Sequence, residues 1–257
     1  MAKVRALVLR SPGANCDAEA VFALELAGAA AERLHINRLR EHPAQLSDFQ
    51  ILLIPGGFTY GDDVAAGKIL AHQLRHFLGD ALKEFRDQGK LILGICNGFQ
   101  ALIKSGLLVE PLADGSVPAT LTYSVGGFQD RWVKLRAEGA KHCPFLAGYG
   151  EMLVPIAHGE GRFYCKDEAT LAKLRAQRQL VLIYVPNSEL PDEPYNPNGS
   201  QADVAGICDT TGRVLGLMPH PERHALPTQH PHWTRTGLAK EGDGLRVFRN
   251  AVEFFKN

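Results

Sequence analysis

Long apolar runs are missing from this 257-residue sequence, and so is any surplus of one charge. No window approaches the ~18 to 20 apolar residues that a membrane-spanning helix requires, which argues against a helical membrane protein. Twenty-eight Lys and Arg balance 28 Asp and Glu, so bulk charge offers no footprint for nucleic acid or for an anionic membrane. Cysteine is sparse: five residues, at 16, 96, 143, 165 and 208, odd in number and without a CxxC pair. That pattern fits a reducing cytosol better than a disulfide framework and leaves at least one thiol free. Internal repeats and low-complexity tracts are absent as well. The opening MAKVRALVLRSPG passes straight into a strand-like segment with no cleavage site, so no secretory signal is expected and a cytoplasmic location follows. The sequon Asn198-Gly199-Ser200 is accordingly read as a polar turn.

What is present is a hydrophobic content of 45%, ample for one large core, and a single domain over residues 1–257 is expected. Val4 to Leu9 is a short apolar, β-branched run. After the turn Ser11-Pro12-Gly13, Ala18 to Ala30 carries helical spacing. Ile51 to Ile54 is a second buried-strand segment, stopped by Pro55-Gly56-Gly57, and Ile69 to Arg86 reads as one amphipathic helix. Leu91 to Ile95 is a third, all-apolar strand, and Asn97 to Ser105 a helix ended by Gly106. Strand alternating with helix implies a parallel sheet. Between about Val117 and Val185 the pattern shortens and alternates, as in Phe128 to Leu135 and Val181 to Val185, which predicts antiparallel strands beside it. Pro186 to Ser200 reads as a surface loop. Val204 to Cys208 and Val214 to Met218 read as a hairpin, and Gly244 to Phe255 as a closing helix.

Three segments carry chemistry. In Gly94-Ile95-Cys96-Asn97-Gly98 an apolar strand delivers a thiol to a sharp strand-to-helix turn, the counterpart of the G-x-S-x-G nucleophile turn. The positive end of the following helix favours the thiolate. A free cysteine is more often simply buried and inert, so a base is needed as well. His220-Pro221-Glu222, after a second apolar strand, supplies one: on an extended segment alternate residues face the same way, and Glu222 can hold one ring nitrogen of His220 while the other faces the thiol. Acyl transfer also needs donors for a developing oxyanion. The backbone N–H of Asn97 and one in Pro55-Gly56-Gly57-Phe58, at Gly57, are the candidates. His230 and His232 form a His-x-His pair, but no carboxylate or cysteine set accompanies them, and no metal site is expected.

Pro55-Gly56-Gly57, Gly94 to Gln100 and His220-Pro221-Glu222 together resemble, in order and spacing, the three signatures of the class I, or triad-type, glutamine amidotransferases. The resemblance implies an α/β flavodoxin-like fold: an open, mostly parallel central sheet, helices on both faces and a few antiparallel strands, with the site at the carboxyl ends of the strands. It implies that Cys96 attacks the side-chain amide of glutamine, and that Gln100 and the backbone near Gly57 help hold that substrate. A narrower resemblance rests on Ser11 to Asp17, Pro55 to Asp62, Ala157 to Phe163, Asn196 to Ser200 and Pro219 to Arg223. These look like the glutaminase component of phosphoribosylformylglycinamidine synthase, an enzyme of purine synthesis. The implied partners are a synthetase subunit that receives the ammonia and, in some complexes, a small accessory subunit. No ATP-binding signature occurs here, so ATP and Mg are expected on the synthetase. His158 to Arg162 and Asn196 to Ser200 are expected as exposed loops facing that partner or the glutamine pocket. Two features depart from the family. A Cys is expected before the Arg-Trp of a middle strand, where this chain has Gln129-Asp130-Arg131-Trp132, and His224 to Asp243 resembles the tail of fused, single-chain synthases. Two other functions stay open on sequence grounds: service to a different synthase, and a non-catalytic, flavodoxin-like partner-binding or redox protein.

Overall fold

The computed structural model describes residues 3–138, 141–188 and 193–256. In chain order the elements are β1 (Arg5–Arg10), α1 (Asp17–Leu26), β2 (Ala30–His35), α2 (Ile36–Glu41), β3 (Ile51–Ile54), α3 (Lys68–Phe77), α4 (Gly79–Asp87), β4 (Leu91–Ile95), α5 (Asn97–Ser105), β5 (Ala119–Thr122), β6 (Gln129–Ala137), β7 (Glu151–His158), β8 (Arg162–Cys165), α6 (Glu168–Ala176), β9 (Leu180–Val185), β10 (Val204–Cys208), β11 (Val214–Leu217), α7 (Trp233–Thr236) and α8 (Leu245–Glu253). Nine strands form one sheet in the order β2-β1-β3-β4-β11-β10-β9-β6-β7. The first five run parallel, and β10, β9, β6 and β7 extend the sheet through antiparallel pairs. β5 and β8 pair separately.

The apolar runs explain this order. β3, β4, β10 and β11 are buried along their whole length, whereas β2, at the sheet edge, consists only of exposed and half-buried residues. Strands covered on both faces need helices above and below. The right-handed crossover rule puts α1 on one face, since the chain moves from β1 outward to β2, and α3 on the other, since it moves from β3 toward β4. One continuous cluster of buried residues runs from Val4 to Val252.

Several boundaries differ from expectation. The first helix ends at Leu26 instead of Ala30, because Gly28 adopts φ +101° and Ala29 and Gly28 return their N–H groups to Leu24 and Glu25. That left-handed stop lies within an alanine-rich stretch whose apolar spacing hides it, and β2 begins at Ala30, the last residue of the expected helix. The helix expected over Ile69 to Arg86 is broken at Leu78, which is buried, before Gly79, a poor helix former. β5, β7 and β8 fall in the stretch expected to hold antiparallel strands, without having been placed individually, and α2, α6 and α7 have no counterpart in the sequence reading. His158 to Arg162 is not an exposed loop: His158 ends β7, is buried, and Arg162 begins β8. Asn198 and Ser200 are likewise buried, although both lie in a segment without regular structure. Residues 189–192 of the expected 186–200 loop lie outside the described residues. The hairpin formed by β10 and β11 has the expected antiparallel pairing, and β11 also pairs in parallel with β4. That second pairing matters most for function, because it sets the ends of β4 and β11 side by side.

Candidate active site

Cys96 follows β4 directly and adopts φ 51° and ψ −107°, a backbone conformation that L side chains avoid and that persists only when its surroundings hold it. Its N–H donates to the Leu217 carbonyl of β11 at 2.8 Å, and its carbonyl accepts the Gln100 N–H at 3.0 Å. Glycine on either side is required by close approach. A β-carbon at Gly98 would lie 1.9 Å from the Ile54 carbonyl oxygen, and one at Gly94 would lie 2.5 Å from Leu102 Cδ1. Cys96 thus caps α5, whose dipole places partial positive charge beside the sulfur.

His220 and Glu222 are both about 1% exposed. His220 Nδ1 meets Glu222 Oε1 at 2.7 Å, and the His220 N–H donates to the Pro155 carbonyl of β7 at 2.8 Å. The pair forms for a different local reason than expected. Pro221–His224 is a 3-10 turn, not an extended segment, so the carboxylate curls back to the ring instead of sharing a strand face with it. Burial opposes a charged His220, but the Glu222 carboxylate and the neighbouring Cys96 and Cys16 thiols outweigh it, and the imidazole is held well above its ordinary pKa. His220 Nε2 makes no hydrogen bond among the described residues. A buried ring nitrogen without a partner is one available to take a proton.

Asn97 is the hinge between this turn and the Gly57 loop. It is fully buried; its Oδ1 accepts from Thr59 N–H at 3.1 Å and Thr59 Oγ1 at 2.6 Å. Its Nδ2 donates to Asp62 Oδ1 at 3.0 Å and to Gln100 Oε1 at 2.9 Å. Gln100 Nε2 in turn donates to the Glu160 carbonyl at 2.7 Å. Gln100 therefore lines the pocket while its amide braces two loops. Gly57 has φ +144°, and a β-carbon there would lie 2.6 Å from the Gly13 carbonyl oxygen. Gly57 bridges Ala14 through the bonds of the flanking residues, Phe58 N–H to Gly13 and Asn15 N–H to Gly56. That pattern leaves the amide of Gly57 itself pointing away from the bridge.

Beside Cys96 lies a cavity of about 160 Å³ whose walls include Gly57, Asp62, Cys96, Gln100, His158 and Glu160. Exposed Phe58, Tyr123 and Phe128 stand at its rim. A larger cavity of about 570 Å³ between Glu110, Lys166, Lys173 and Asp209 is lined by no cysteine, serine or histidine, so chemistry and not volume selects the site. His158, in the cavity wall, has Ser124 Oγ and Asn198 Nδ2 each 3.4 Å from its ring nitrogens. Burial pushes its pKa down to about 4, so it is a neutral structural group.

Of the site residues expected from sequence, Cys96, Gly57 and Gln100 line this cavity, His220 neighbours the Cys96 thiol and holds Glu222 on its Nδ1, and Asn97 follows Cys96 at the start of α5. His230 and His232 do not join the site. The His230 ring lies edge-on to Trp132 and to His232 and tilted against His224. The residue missed is Cys16, whose buried thiol neighbours His220 and accepts from Arg223 Nη2 at 3.1 Å. Only its place in the Ser11 to Asp17 segment, just after β1, signalled it.

Comparison with known proteins agrees in breadth as well as detail. A family model for the CobB/CobQ-like glutamine amidotransferase domain matches residues 3–255. The phosphoribosylformylglycinamidine synthase subunit PurQ of Dehalococcoides mccartyi is 44% identical over 256 residues, 99% of this chain and 98% of the relative. That of Methanococcus maripaludis is 41% identical over 98% of both. Among solved structures, a chain in the structure of PurLQS from Thermotoga maritima superposes with a TM-score of 0.76 at 31% identity, over 99% of this chain and 100% of that one. Full-length identity at this level, on a sheet that gathers the three signatures at its carboxyl end, means that the chain belongs to the CobB/CobQ-like glutamine amidotransferases and, among them, to the PurQ family.

Proposed function

We propose that this chain is the glutaminase subunit of a phosphoribosylformylglycinamidine synthase. It hydrolyses glutamine to glutamate and ammonia and passes the ammonia to a synthetase subunit, which converts formylglycinamide ribonucleotide to formylglycinamidine ribonucleotide. The observation behind it is the buried 2.7 Å contact between His220 Nδ1 and Glu222 Oε1, on a ring that also neighbours the Cys96 thiol.

In this reading the whole chain acts as one glutaminase domain. The Cys96 thiol gives its proton to His220 Nε2 and its sulfur attacks the glutamine Cδ, with negative charge gathering on the amide oxygen. The N–H groups of Gly57 and Asn97 donate to that oxygen, and the start of α5 adds its dipole. His220 then returns the proton to the departing nitrogen, which leaves as ammonia. A water molecule, deprotonated by His220, cleaves the glutamyl thioester and restores the thiol. Glu222 keeps the ring oriented and stabilises its charged form in both halves. Gln100 and the Gly57 backbone position the substrate. ATP and Mg belong to the synthetase, the reaction runs in the cytoplasm, and a small accessory subunit takes part in assembly. No helix of the described residues is long and apolar enough to cross a membrane.

The test is reconstitution with the synthetase subunit. Cys96→Ala is expected to lose glutamine-dependent product formation by at least about a hundredfold, within the range for removal of a catalytic group, yet to retain the reaction driven by added ammonium. If the intact complex loses the ammonium-driven reaction as well, Cys96 is not confined to ammonia release and the assignment fails.

A further inference from the structure

Cys16 is a buried thiol beside the triad for which glutamine hydrolysis has no use. Its Sγ, a ring nitrogen of His220 and a carboxylate oxygen of Glu222 all lie within 4.8 Å of one another, a grouping of three potential ligands found nowhere else among the described residues. Glu222 Oε2 is buried without a hydrogen-bond partner, and Glu222 Oε1 lies against His220 Nδ1 at 2.7 Å, so Nδ1 is the ring nitrogen that an ion shared with this carboxylate would take. Gly56 faces them without a side chain: a β-carbon there would lie 2.8 Å from His220 Cε1, 3.1 Å from Cys16 Sγ and 3.4 Å from Cys96 Cβ. Arg223, which donates to the Cys16 sulfur at 3.1 Å, is itself anchored on Glu19 by three hydrogen bonds of 3.0 to 3.2 Å.

We propose that Cys16, His220 and Glu222 form an inhibitory binding site for a divalent cation of the zinc class. Thiolate, imidazole and carboxylate are the donors such an ion prefers, and water completes the tetrahedron. Magnesium and calcium, which take oxygen ligands in larger numbers, do not suit this set. Thiolate and carboxylate together cancel the double positive charge, which removes much of the cost of burying an ion. Binding releases the Cys16 proton, as zinc does with any coordinated thiol. Ligand atoms now up to 4.8 Å apart must close by roughly 1 Å to reach typical zinc bond lengths. Binding takes the imidazole that hydrolysis needs and leaves the proton on its Nε2, so Cys96 loses its proton acceptor. The inhibition rests on the glutaminase reading given above; the binding does not.

Cobalt(II) serves as the spectroscopic probe on the full chain. The expected result is one ion per chain with a thiolate-to-cobalt charge-transfer absorption that persists in Cys96→Ser, disappears in Cys16→Ser and is displaced by zinc. Because Cys16→Ser alters a buried site, zinc-edge X-ray absorption on the unaltered chain provides a second reading, with one sulfur and otherwise nitrogen or oxygen ligands expected. In the complex with synthetase, zinc should inhibit glutamine hydrolysis, reversibly with chelator, at least tenfold more weakly in Cys16→Ser. No bound ion, an absorption that survives in Cys16→Ser or vanishes in Cys96→Ser, or two sulfurs or none at the zinc edge would each overturn the site. A Cys16-dependent spectrum in a chain that hydrolyses no glutamine would uphold the site and count against the glutaminase reading.

Discussion

Gly98 shows how little room the nucleophile turn leaves. The helix that begins after Cys96 lies so close to β3 that any β-carbon at position 98 would overlap the Ile54 carbonyl oxygen at 1.9 Å. That oxygen is backbone and cannot rotate aside. Gly98→Ala would be favourable by helix propensity alone, but the clash dominates. The expected cost is about 1–3 kcal/mol from overpacking, or a melting temperature lower by roughly 2–4 °C per kcal/mol, with Cys96 displaced and glutaminase activity reduced. Thermal unfolding of the variant beside the unaltered protein checks this, and an unchanged melting temperature would mean that α5 shifts freely. The two glycines flanking the thiol were legible in sequence because a strand-to-helix turn this tight needs them locally. Cys16 was not legible as a neighbour of His220, because nothing local connects a residue after β1 with one after β11.

Between elements, Asn97 couples the start of α5 to the loop after β3. Its side chain satisfies Thr59 N–H and Oγ1 on one side and Asp62 and Gln100 on the other, so the amides of Gly57 and Asn97 keep a fixed relation. Sequence reasoning valued Asn97 only for its backbone N–H; the side-chain role appears when the Thr59 loop folds over it. Asn97→Ala would leave buried Thr59 groups unpaired at a cost of about 1–3 kcal/mol. Amide hydrogen exchange over residues 57–67 should accelerate in this variant while β4 and β11 remain protected, and the rate of glutamine hydrolysis should fall. Equal exchange in both proteins would show that the loop is held by other contacts. The same locality explains the misplaced boundaries. The break at Leu78 depends on burial of that side chain between two helices, which helical periodicity cannot register.

For the whole molecule, two buried histidines make stability depend on pH in opposite senses. Burial lowers His158 to about 4 from its ordinary value near 6.5. As pH falls below about 6.5 the unfolded chain takes up a proton that the folded chain refuses. The stability held through His158 is therefore complete above that pH and declines toward pH 4, by about 3 kcal/mol at ~1.4 kcal/mol per unit. His220, raised by Glu222 and the neighbouring thiols despite its burial, contributes stability that is complete below about 6.5 and is lost as pH rises through its folded value. Denaturant unfolding across pH 4 to 7 is expected to show a smaller loss of stability on acidification in His158→Gln than in the unaltered chain. Parallel curves for the two would remove His158 from the acid response.

The sequence by itself determined the parallel strands, the turn that presents Cys96, the His220 and Glu222 pair and the family, since each is encoded by residues adjacent in the chain: apolar runs, glycines that permit a turn, a histidine two residues before a carboxylate. Tertiary structure alone decided which distant groups meet. Parallel pairing of β4 with β11 brings Cys96 to His220, closure of the loop after β3 over Asn97 pairs that side chain with Thr59, and the adjacency of β1 and β3 carries a second thiol to the base. The reason is physical. Local propensity sets the conformation of each segment, whereas burial of the segments against one another selects their neighbours, and that selection is made by the sheet as a whole.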